Sequence, residues 1–169
     1  MTVILGGLAP VVDRVVRLAD PWQHLVSHSP AVSTTLLFAH VGALVTGGGL
    51  ALSADRTTFR LRHADQAARE RHLLEIAQIH RPIVLALAVS LASGGLLFLA
   101  DVEAFSASRT FWFKMALTAM LLANGVVMGR TDASAARAPL LWRRRLLSAY
   151  ASVLLWYTIV LAGCLLASR

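Results

Sequence analysis

The sequence predicts an all-α membrane protein, a four-transmembrane-helix bundle with an N-terminal interfacial helix and a cytoplasmic amphipathic helix. Three observations carry this. Of the 169 residues, 57% are hydrophobic and only 15% are charged. The mean hydropathy is +0.65, which belongs to a membrane chain and not to a soluble domain with an apolar core. Four apolar runs, about residues 32–54, 82–100, 110–129 and 146–167, lie in or near the length needed to cross a hydrocarbon layer roughly 30 Å thick. The whole chain, 1–169, reads as one integral membrane domain.

The net charge of +7 raises nucleic acid as a partner, and the distribution of that charge argues against it. Six arginines (Arg56, Arg60, Arg62, Arg69, Arg71, Arg81) fall between the first and second runs, and five (Arg130, Arg137, Arg143, Arg144, Arg145) between the third and fourth. The middle connection carries Asp101, Glu103 and Arg109. This sorting is the positive-inside pattern and predicts both basic loops in the cytoplasm, hence both termini on the periplasmic side of a bacterial inner membrane. The expected partners are the lipid bilayer and other membrane subunits or a homo-oligomer, not nucleic acid.

Residues 1–20 have no basic start, and Gly6, Gly7 and Pro10 break the run Val3–Val12, so a signal peptide is not expected. After them, Val11, Val12, Val15, Val16 and Leu18 oppose Asp13, Arg14 and Arg17, the pattern of a helix lying on the outer leaflet with Trp22 at headgroup depth. Asp20-Pro21 predicts a fresh helix start, a short turn bearing His24 and His28. That i, i+4 pair could grip a metal, but solvent-facing histidines are the commoner outcome. Ser29-Pro30 predicts the start of the first span.

The first span, VSTTLLFAHVGALVTGGGLALSA, carries one ionisable side chain, His40. An ionisable group within the membrane marks a functional position by default. Ala43, Gly47, Ala51 and Ala54 share its face, which either admits another helix closely or leaves room for a flat group beside the imidazole. Residues 64–79 show helical amphipathic spacing on the inner leaflet, and Pro82 predicts a helix break near His80. His63 and His72 read as solvated, and His80 as lying at the inner headgroup level.

In the second span Ser90, Ser93, Gly94 and Gly95 form another small-residue surface at the depth of His40. Counted from the outer ends, Lys114 lies about 6 Å deep and His40 about 12 Å, a gap a lysine stem can bridge. Lys114 either snorkels to the headgroups or turns inward to a partner. Asn124 needs an interhelical hydrogen bond. Met115, Met120 and Met128 are packing residues or soft metal ligands. Trp156 and Tyr157 either wall a planar cofactor or fill the bundle. Cys164, the single cysteine, permits no intramolecular disulfide.

The segments FAHVGALVTGGG, SLASGGLLFLAD and FWFKMALTAMLLANG together resemble the bacterial four-span membrane domain of the copper-resistance D type and related small membrane proteins. They are more distantly similar to the J-type protoporphyrinogen oxidases, in which a first-span histidine and a third-span lysine accompany heme b. The likeness covers about residues 33–128. It implies His40 and Lys114 as the cofactor-binding pair, with His40 as the metal ligand, heme b as the cofactor and copper as the alternative. One departure is that no second histidine lies at the depth of His40 on another span, so ligation of heme by two histidines is not expected within one chain. Two readings therefore stand: a heme-b redox or metal-handling subunit, and a cofactor-free structural or accessory subunit of a larger membrane complex.

Overall fold

A computed structural model describes residues 2–129 and 136–168, the side chains of residues 2–9 and of Val11 apart. Every regular element among the described residues is helical: α1 (Thr2–His28), α2 (Pro30–Arg60), α3 (Gln66–Ala100), α4 (Val102–Ala107), α5 (Arg109–Gly129) and α6 (Pro139–Ala167), with a 3-10 turn at Leu61–His63. Four of them, α2, α3, α5 and α6, are long and apolar enough to cross a membrane, as in a multi-pass membrane protein. Apolar side chains such as Phe38, Val45, Leu147 and Leu154 stand exposed along them. In a bilayer this surface faces lipid, because lipid tails are as apolar as the side chains themselves.

The helix starts follow from local chemistry. Ser29 caps α2 by accepting a hydrogen bond from the Val32 N–H, with Pro30 in the first turn, where its missing N–H costs nothing. Asp65 caps α3 at 2.8 Å from the Ala68 N–H. Two expected breaks do not occur. Helix α1 runs through Pro21, so the short separate turn at Asp20-Pro21 is absent. Helix α3 runs through Pro82, so the amphipathic segment 66–80 and the second span are one helix. A proline removes one backbone hydrogen bond, but 18 further residues of α3 lie beyond Pro82. Close packing on α2 along that length outweighs one missing bond.

The bundle is two helix pairs, α2 with α3 and α5 with α6, joined chiefly where α2 meets α6. At that joint Trp156 lies 4% exposed against Gly48, whose missing Cβ would sit 3.1 Å from the indole. Leu121, Leu155 and Ile159 complete this core. Helix α1 packs across α2, α3 and α4, and the Trp22 indole N–H donates to the Leu96 carbonyl at 2.9 Å. That bond ties α1 to the end of α3 opposite the arginine-rich connections.

Helices α2 and α3, of 31 and 35 residues, are about 46 and 52 Å long. Both therefore project past a hydrocarbon layer roughly 30 Å thick. The projecting turns at the arginine-rich end are knitted together by side chains. Thr58 is fully buried and its hydroxyl meets His72 Nε2 at 2.8 Å. His72 is only 4% exposed and so is not the solvated residue expected of it. Arg69 lies over the Trp142 ring at 4.8 Å, and Arg137 pairs with Glu70 at 2.9 Å.

Candidate functional site

Two polar sites lie within the bundle, one at His40 and one at the arginine-rich end. His40 sits half-buried on α2 with its ring against α3. A Cβ on Gly94 would lie 3.0 Å from His40 Cε1, so glycine is what lets the imidazole lie on that helix. The Nδ1 atom is 2.9 Å from the Ser90 carbonyl and 3.3 Å from the Ser93 hydroxyl. A carbonyl can only accept, so Nδ1 carries the proton. In neutral imidazole Nε2 then holds a free lone pair, and it has no hydrogen-bond partner among the described residues. A carbonyl on one ring nitrogen that leaves the other free is the usual setting of a metal-binding histidine. It is equally a plain interhelical hydrogen bond.

Lys114 is half-buried, with Nζ 3.5 Å from where a Gly163 Cβ would stand. It thus reaches sideways to α6. His40 and Lys114 lie within electrostatic reach of each other. The small-residue face of α2 offers less room than expected, because a Cβ on Gly47 would come within 3.0 Å of the Ala86 methyl. That face is used for close packing of α2 on α3. Of the aromatic pair considered as cofactor walls, Trp156 packs on Gly48, and Tyr157 is 66% exposed, facing outward. His28 spends its Nδ1 on the His24 carbonyl, and the described residues hold no cluster of three metal-ligating side chains.

The second site is one the sequence reading passed over. Helices α3 and α5 make little direct contact with each other. Between them lies a cleft of about 670 Å³, walled also by α2 and α6. Its apolar part runs along α3 to Leu87 and Leu91, and Gly125 and Gly129 line α5. Its polar end holds Asp55, His80, Asn124, Arg145 and Ser152.

Asn124 is satisfied, as expected of it. Its amide donates to the Ser148 carbonyl at 3.0 Å, and its oxygen accepts from the Ser148 hydroxyl at 2.9 Å. Arg145 donates from one terminal nitrogen to the Met128 carbonyl at 2.9 Å, holding α6 to the end of α5. Asp55 and Arg145 are 2% and 3% exposed and within electrostatic reach of each other, yet no ion pair joins them among the described contacts. Asp55 Oδ2 and Arg145 Nε both lack a hydrogen-bond partner. His80 lies at the mouth, its ring packed on Gly129, where a Cβ would come within 3.1 Å.

In the sequence Asp55 is simply the first charge after the first apolar run, and Arg145 one of the arginines that set topology. Their convergence depends on helices that continue past the apolar runs.

The class of protein these observations define is a multi-pass, all-helical membrane protein with a polar-ended cleft between two of its spans. The chain matches no protein-family model, no curated protein and no solved structure.

Proposed function

We propose that this is a bacterial inner-membrane subunit, its arginine-rich end in the cytoplasm, that binds a lipid-soluble molecule in the cleft between α3 and α5. The observation that carries this reading is the pair Asp55 and Arg145, both nearly inaccessible, both lining the cleft, and each with an unpartnered polar atom. Buried ionisable groups with an unmet hydrogen-bonding atom are costly to keep in low dielectric. Within membranes such groups face cavities and mark ligand pathways. The gap between α3 and α5 supplies the way in from the lipid.

Gly125 makes the test clean, because a Cβ there meets nothing within 4 Å. Gly125→Phe should fill the cleft without disturbing its neighbours. Native mass spectrometry of protein drawn from membranes in mild detergent should show a small lipophilic molecule on the wild type and none on Gly125→Phe. Equal retention by both, or none on either, would remove the cleft as the working site.

A second reading keeps heme b on His40, and the hydrogen bond from Nδ1 to the Ser90 carbonyl is what favours it. His40 would hold the iron through Nε2, with Lys114 the cation for a propionate. Heme would supply one-electron chemistry. The residues fit this in part only, since the small-residue face beside His40 is filled by α3. Copper on His40 would use the same nitrogen. Purified with heme supplied, the wild type should then show a Soret band that His40→Ala loses and His24→Ala keeps. A wild type without that band leaves the cofactor-free reading.

A further inference from the structure

Resting on the cleft as the working site, we propose that its ligand has a neutral ring bearing hydroxyl or carbonyl groups, the quinol and quinone class. Its head would lie at Asp55 and Arg145 and its tail along α3. Donor and acceptor accounting at the polar end supports this choice. Asn124 has both its amide and its carbonyl oxygen engaged by Ser148. One terminal nitrogen of Arg145 is engaged by Met128. Asp55 Oδ2, an acceptor, and Arg145 Nε–H, a donor, are both buried without a partner, with the His80 imidazole beside them in the cleft lining.

A quinol hydroxyl supplies a donor for the carboxylate, and a ring oxygen supplies an acceptor for the guanidinium. Charge separates this class from other lipids. Asp55 and Arg145 together carry no net charge, so a neutral head enters without adding one. A phosphate or an ionised fatty acid would bring a second negative charge beside Asp55, and an anion in such a site is costly.

Shape agrees. The cleft extends along α3 from Leu73 to Leu91, about 27 Å at the helical rise. That leaves a polar end for a ring and an apolar length for the first part of a chain. Gly125 on one wall presents backbone with nothing within 4 Å of where a Cβ would stand, a surface a flat ring can approach closely.

The experiment is calorimetric titration of the detergent-purified full chain with a decyl-tailed benzoquinone and, separately, with its quinol. Phosphatidylethanolamine, phosphatidylglycerol and palmitate are the competing arms. Both ring forms should bind, and Gly125→Phe should abolish both. Asp55→Asn, nearly identical in size, should weaken the quinol about tenfold or more, the loss of one hydrogen bond to a charged group. The same change should leave the quinone within about threefold, since a quinone has no hydroxyl to donate. Melting curves establish that each variant is folded. If a phospholipid or palmitate binds in a Gly125→Phe-sensitive way and the ring compounds do not, the ligand class is wrong and the cleft stands. If no probe shows Gly125→Phe-sensitive binding and the wild type carries no lipophile from the membrane, both fail. Equal weakening of quinol and quinone by Asp55→Asn would overturn the placement of the hydroxyl on Asp55.

Discussion

Arg145→Met destabilises the folded bundle by about 3–5 kcal/mol, the range found when one member of a buried charge pair is removed. Arg145 is 3% exposed, and the change removes two things at once. The Met128 carbonyl loses the donor that ties α6 to the end of α5. Asp55, 2% exposed, loses the Arg145 cation that offsets its charge. Methionine keeps the apolar stem, so packing loss stays small. The double variant Asp55→Asn/Arg145→Met should recover at least about 1 kcal/mol of that loss, because the orphaned carboxylate is gone. Reversible unfolding in mixed micelles measures both. A loss below about 1 kcal/mol for the single variant would mean that Arg145 reaches water and that the cleft's polar end is not closed.

The second large effect is at the joint between the two helix pairs. Trp156→Ala should cost about 3–5 kcal/mol, the range for truncating a large buried aromatic. Within a bilayer this is lost dispersion contact rather than lost hydrophobic burial, because lipid does not drive helices together as water does. Gly48 permits a specific check. A Cβ there lies 3.1 Å from the indole, so Gly48→Leu alone overpacks the joint. Added to Trp156→Ala, the leucine occupies the vacated volume and should restore part of the loss. The same unfolding assay reads this, and strictly additive losses would show that the two residues do not meet.

The His40 region was legible because its signals are local. An imidazole, a glycine-bearing face on α2 and serines with glycine on the second span lie at matched depths, and the structure brings Ser90, Ser93 and Gly94 against His40. Asn124 was legible for the same reason: an amide inside an apolar run must find a partner, and Ser148 is that partner. The side chain of Lys114 was not, since run length and depth cannot tell a lysine that bends to a helix end from one that reaches α6 at Gly163.

By itself the amino-acid sequence determined the helical class, the number of membrane-crossing segments and the sorting of arginine into alternate connections. These follow from composition and from the length of apolar runs, which a bilayer reads residue by residue. Only the tertiary structure decided the polar end of the cleft. Asp55, Thr58 and Arg145 look like loop residues in sequence, and His72 like a solvated residue of a surface helix, because each lies outside the apolar runs. Helices α2 and α3 continue well past the hydrocarbon, and α6 begins before it, so the charged turns face one another and bury these side chains. A charge near the end of an apolar run marks where hydrocarbon stops and carries no information about which helix stands opposite. The placing of α2 against α3 and α6, which form walls of the cleft, rests on how closely Gly47 meets Ala86 and Gly48 meets Trp156. Those are contacts between residues 39 and 108 positions apart, and no local pattern encodes them.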